Sequence, residues 1–124
     1  MFKYIMAAIF AASAAYGNSA LVGTYDLKVN INNNFFDDIF EVKEIFHGKI
    51  LGTFEVPNIF KSRFDGKILD GKIVGSFTAI ENGSEFEVIL RAEPGKEACD
   101  LSGTLQSEDQ VFGTFIGKKR GCDE

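Results

Sequence analysis

Cys99 and Cys122 are the residues of this chain best suited to a covalent step with one another. In an oxidising compartment they are expected to pair, closing a loop near the C-terminus; the alternative is two free thiols. Together with the single His47 they lack the close ligand spacing of a metal site, so no metal and no cofactor is expected. His47 precedes Gly48 in a turn sequence and would become a general base only with a carboxylate such as Glu44 or Asp109 folded beside it. Asp37 and Asp38 are adjacent, so on a strand they point to opposite faces, and both are read as solvent residues. The run "DGKILDG", Asp65 to Gly71, has oxygen ligands but neither the spacing nor the closing glutamate of a calcium loop. Serines fall in the first 19 residues, in turns or on polar faces, and mark no nucleophile. No residue set points to catalysis, so the protein is expected not to be an enzyme.

Charge narrows the partners. The formal net charge is −5, and one unit more negative without Lys3. A polyanion would be repelled by that average field, so no nucleic acid is expected as a partner. The one basic cluster, "GKKRG" at Gly117 to Gly121, is read as a solvated terminus.

The elements that must carry these residues begin after a leader. "MFKYIMAAIFAASAAYGNSA" has one lysine, an apolar run from Tyr4 to Ala12, then small residues, the layout of a signal peptide. Residues 1–19 are assigned to it, with cleavage after Gly17, Ser19 or Ala20, which places the protein in the periplasm or outside the cell. Its apolar run is shorter than the roughly 20 residues of a spanning helix. Residues 20–124 are expected to form a single domain, short enough to benefit from a disulfide staple.

From Val22 onward, short runs of Val, Ile, Phe and Thr alternate with turn residues, the signature of an all-β sandwich or barrel. Strands are expected at 23–31, 38–46, 49–56, 59–69, 72–80, 84–92, 100–106 and 111–117. Asp70-Gly71 and Asn82-Gly83 are the sharpest hairpin turns, since these residues tolerate positive φ. In "NNNFFDDIFEVKEIF" a short helix competes with a strand, and the alternation of Phe40, Val42 and Phe46 favours the strand. Eight strands joined in order make an antiparallel meander, and closure into a small up-and-down β-barrel removes both free edges.

A recurrent word supports curvature: glycine, a hydroxyl residue, then a large apolar residue. It starts at Gly23, Gly52, Gly75, Gly103 and Gly113. Alternation turns the glycine and the large residue inward, and glycine lets a tightly curved wall bend while a neighbouring ring lies over bare backbone. Thirteen Phe residues compete for the interior. Tyr25, Phe54, Phe64, Phe77, Phe86 and Phe115 are the candidates for either a packed core or the lining of an apolar pocket.

The opening "LVGTYDL", residues 21–27, followed by "NFFDDIF" at 34–40, resembles the first strand and following segment of the lipocalin, fatty-acid-binding and streptavidin group of barrels. The likeness covers about a fifth of the mature chain. It implies that Gly23 and Tyr25 sit at the barrel base and that a hydrophobic small molecule is bound inside. The group usually places tryptophan at the aromatic position, where this chain has Tyr25. Two function classes remain. A non-enzymatic interaction or envelope-associated protein presenting its loops ranks first by a small margin, and a carrier of a small apolar ligand or lipid is the alternative. A Phe-lined pocket of roughly 300 Å³ or more would reverse that order.

Overall fold

The computed structural model describes residues 20–95 and 99–122. The leader, residues 1–19, lies outside the described residues, as does part of the turn after Pro94. Eight antiparallel strands follow one another around a closed barrel: β1 Gly23–Ile31, β2 Asn34–Phe46, β3 Lys49–Val56, β4 Phe60–Leu69, β5 Lys72–Glu81, β6 Ser84–Pro94, β7 Asp100–Ser107 and β8 Gln110–Lys119. Closure is made by β1 and β8, in register from Tyr25 opposite Lys119 to Asn30 opposite Thr114. Every strand pairs with both neighbours, but β4 and β5 pair only from Asp65 opposite Ser76 to Leu69 opposite Lys72, so Phe60–Phe64 and Phe77–Glu81 part toward the other end of the barrel.

Tight turns set this order. Asn32-Asn33, His47-Gly48, Asp70-Gly71, Asn82-Gly83 and Glu108-Asp109 all hold both central residues at positive φ. That is the conformation whose twist matches two flanking antiparallel strands. The Asn32-Asn33 turn extends β2 four residues earlier than the sequence reading, because pairing with β1 continues to Ile31 opposite Asn34. The whole 34–46 stretch is strand, without the competing helix.

One facing expectation is corrected. A bulge between Val42 and Glu44 puts one extra residue into β2, so the alternation changes phase at Lys43. Ile45 then opposes Ile50 and packs on the core, while Phe46 turns outward, 65% exposed, with its ring 4.1 Å from that of His47.

The barrel has a packed base and a different mouth. At the base, Tyr25, Phe40, Phe64, Ile73, Leu90 and Leu101 are fully enclosed. The Phe40 and Phe64 rings meet edge to face at 4.9 Å. Residues 20–22 precede β1 at the base: Tyr25 Oη donates to the Leu21 carbonyl at 2.8 Å, and Lys119 Nζ donates to the carbonyls of Ala20 and, at 3.2 Å, Val22. Burial pushes the Tyr25 phenol up to about 12, so it stays a neutral donor. The basic cluster is therefore not a free tail. Lys118 pairs with Asp100 at 3.2 Å, Lys119 holds the N-terminal turn, and Arg120 grips Asp26 through two nitrogens at 2.7 to 3.1 Å. That grip holds the Asp26 carboxyl below its ordinary range. Cys99 and Cys122 form a disulfide at the same end, with Cα atoms 5.8 Å apart.

The repeated glycines line the inner wall opposite bulk. Gly52 faces Phe64, Gly103 faces Phe115, Gly113 faces Leu105, Gly75 faces Leu90 and Gly23 faces Val42. The approach is closest at Gly103, where an added Cβ would lie 1.9 Å from the Arg91 carbonyl oxygen and 2.8 Å from the Phe115 ring. No side chain fits there.

Candidate functional site

Above the base the core continues through Val29, Phe54, Phe77, Val88 and Leu105, which are themselves buried and floor an opening at the other end. At the end that carries the β1–β2, β3–β4, β5–β6 and β7–β8 turns, the barrel opens into a concave cavity of about 650 Å³. Its size falls within the range of small-molecule sites, roughly 300 to 1,000 Å³. Strand alternation aims the lining inward: Val29 from β1, Phe54 and Val56 from β3, Phe60 from β4, Phe77 and Ala79 from β5, Phe86 and Val88 from β6, and Leu105 from β7. A second bulge, between Leu105 and Gln106 against β8, adds Phe112 to the rim. The rings of Phe54 and Phe77 stack at 4.1 Å, nearly parallel, as one panel of the wall. Phe60 lies 6.3 Å from Phe77 and extends that panel toward the mouth.

Of the aromatic residues singled out from sequence, Phe54, Phe77 and Phe86 line this cavity. Tyr25 and Phe64 lie in the base. Phe115 is buried beside Gly103. The six candidates are thus divided between the base and the lining of the mouth cavity, which stand one above the other along the barrel axis.

The residue that sequence reasoning misplaced is Asp38. It is 6% exposed, and its Oδ1 has no hydrogen-bond partner. Asp37, its neighbour, does face solvent, with Lys28 Nζ donating to it at 2.7 Å. The signal for Asp38 was present: Phe40 and Val42 point inward, so period two brings Asp38 to the same face. A buried carboxylate without a donor is costly, and the proton is retained to a higher pH. Burial, with the Asp37 charge adding to it, pushes the Asp38 carboxyl up to about 6. It is the cavity's internal polar handle.

This burial has a measurable cost. Because the folded value lies above the ordinary one, the native state binds the proton more tightly than the unfolded chain. The contribution of Asp38 to stability is therefore most favourable below about pH 4, falls as pH rises from there through 6, and stays reduced above it. Asp38→Asn is expected to raise unfolding stability by about 3 kcal/mol at pH 7.5 and to change it little at pH 4. Urea unfolding of both proteins at the two pH values checks this. Equal stabilities at pH 7.5 would mean that the carboxyl is adequately solvated.

The other groups considered for chemistry are dispersed. His47 sits in the β2–β3 turn at the base end, whereas Asp109 is in the β7–β8 turn at the mouth. Asp65 is held by Arg63 at 3.0 Å. Among the described residues no group of three or more His, Cys, Asp or Glu side chains is placed to hold a metal ion. In comparisons with known proteins, no family model, no curated protein and no solved structure matches this chain.

Proposed function

We propose that the protein is an exported, non-enzymatic carrier that holds one small apolar molecule in the mouth half of its barrel. The observation that carries this reading is the cavity of about 650 Å³ walled by Phe54, Phe60, Phe77, Phe86 and Phe112. It exceeds the threshold at which a carrier outranks a loop-presenting module. Removing an apolar ligand from water into such a volume is favourable at about 25 cal/mol per Å² of apolar surface. The likeness to the lipocalin, fatty-acid-binding and streptavidin group supports the reading at the level of architecture alone.

A second reading, an envelope-associated module, draws on apolar side chains left exposed near the mouth, Phe35 at 63%, Ile59 at 68% and Val111 at 51%. The two are separated by thermal melts in the presence of dodecanol. A ligand at 100 times its dissociation constant stabilises the native state by about 2.7 kcal/mol. Ala79 is 7% exposed and lines the cavity, so Ala79→Phe should fill part of it and remove the shift while the barrel still melts cooperatively. Absence of any saturable shift in the native protein would reject the carrier and leave the module.

A further inference from the structure

We propose that the cavity selects an apolar amine, its tail among the phenylalanine rings and its cationic nitrogen on the Asp38 carboxylate; this rests on the carrier reading and specifies its ligand class.

Three independent observations converge. First, Asp38 is 94% removed from solvent by the wall around it, and its Oδ1 lacks any donor from the protein. Buried acceptors are satisfied almost without exception, and Asp38 is itself among the residues lining the cavity, so that is the side from which a donor can approach its carboxylate. Second, no Lys, Arg or His is among the residues lining the cavity, whereas Asp38 and, at the rim, Glu81 are. A fatty acid would bring a third carboxylate into this apolar space with no counter-ion. An ammonium head instead finds a carboxylate, and phenylalanine faces attract cations through their ring quadrupoles. Third, the mouth is acidic: Glu81, Glu85, Glu108 and Asp109 stand at that end against Lys61. Glu108 and Asp109 hold positive φ, where Asn or Gly would be less strained, so acidic residues occupy the mouth turn despite a conformational cost. The resulting field draws cations toward the opening.

The charged groups around Asp38 leave its carboxylate available. Asp37 on β2 points outward and is paired with Lys28 of β1. Glu55, opposite Ile39 on β3, is on the outer face next to the inward Phe54. Glu81 of β5 is exposed. None is a cation competing for Asp38 from inside. Since Asp38 takes up a proton near pH 6, acidification competes with the amine and favours its release.

Dodecylamine, dodecanol and dodecanoate share one tail and differ in head group, and their affinities for the mature protein can be measured calorimetrically below micelle formation. At pH 7.5 dodecylamine should bind at least about tenfold more tightly than dodecanoate, since a charge-assisted hydrogen bond replaces a repulsion. Asp38→Asn should cost the amine about tenfold while leaving dodecanol within about twofold. For the native protein, lowering the pH from 7.5 to 5 should weaken the amine by roughly tenfold, the ratio set by a carboxyl titrating near 6. Dodecanoate binding as tightly as the amine, or an Asp38→Asn variant that loses amine and alcohol equally, overturns the amine assignment. Dodecanol binding without an amine preference overturns it and preserves the carrier. Failure of all three ligands overturns both.

Discussion

Gly75→Val is expected to destabilise the barrel by at least about 3 kcal/mol, at or beyond the upper end of ordinary overpacking. A Cβ at this position would lie 2.4 Å from both the Asp65 carbonyl oxygen and the tip of the Phe64 ring, and 2.6 Å from the Cα of Gly66. Two of those three atoms are backbone in the adjoining strand, paired through Gly66 opposite Gly75. Phe64 is 0% exposed and packs edge to face on Phe40, so its ring has nowhere to move. Relief would require β4 and β5 to part. The comparison variant is Thr53→Val, whose residue is on the outer face and makes only a long 3.5 Å contact from Oγ1 to Glu41. It should cost less than about 0.5 kcal/mol. Urea unfolding of the two variants against the native protein checks the facing of the wall, and comparable losses would mean that it is wrong.

Loss of the disulfide should cost roughly 3.5 kcal/mol, the chain-entropy value for linking positions 23 residues apart. For a domain of this size that lowers the melting temperature by on the order of 15 °C. Cys99 and Cys122 flank the β7–β8 hairpin, and Lys119 N donates to the Cys99 carbonyl at 2.8 Å, so the bond ties the end of β8 to the start of β7. The same stretch carries the Arg120 grip on Asp26 and the Lys119 contacts to the N-terminal turn. A Cys99→Ser/Cys122→Ser double variant should therefore loosen the base before the mouth. Hydrogen exchange would show this as faster exchange at Arg120 N, which donates to Thr24 O. A variant melting within about 3 °C of the native protein would mean that the packed base holds the chain ends unaided.

Period-two alternation and turn chemistry are properties of neighbouring residues, and at that range the chain can be read directly. Asp70-Gly71 and Asn82-Gly83 mark their hairpins because few other residues accept positive φ at two successive positions. Inward glycines beside inward rings announce a curved wall, and eight short strands with no shielding helix imply closure. Even the burial of Asp38 was written in its spacing from Phe40 and Val42; what obscured it was the usual preference of a carboxylate for water. The phase change at Lys43 was not legible, because a bulge arises from the partner strand's register and leaves no local mark; it alone decides that Ile45 packs inward while Phe46 faces solvent.

Neighbouring residues were enough to specify an all-β meander, its turns, its greasy face and the cysteines able to staple it. Packing in three dimensions put the rings of Phe40 and Phe64 in the closed base and those of Phe54, Phe77 and Phe86 against the concavity at the mouth. Cavity volume is a sum over all strands at one height of the barrel, and that height is set by the stagger between strands. Thirteen phenylalanines can pack a solid core or wall a hollow one with the same composition. Which of the two results depends on the layer each ring enters, and adjacency in sequence carries no information about that.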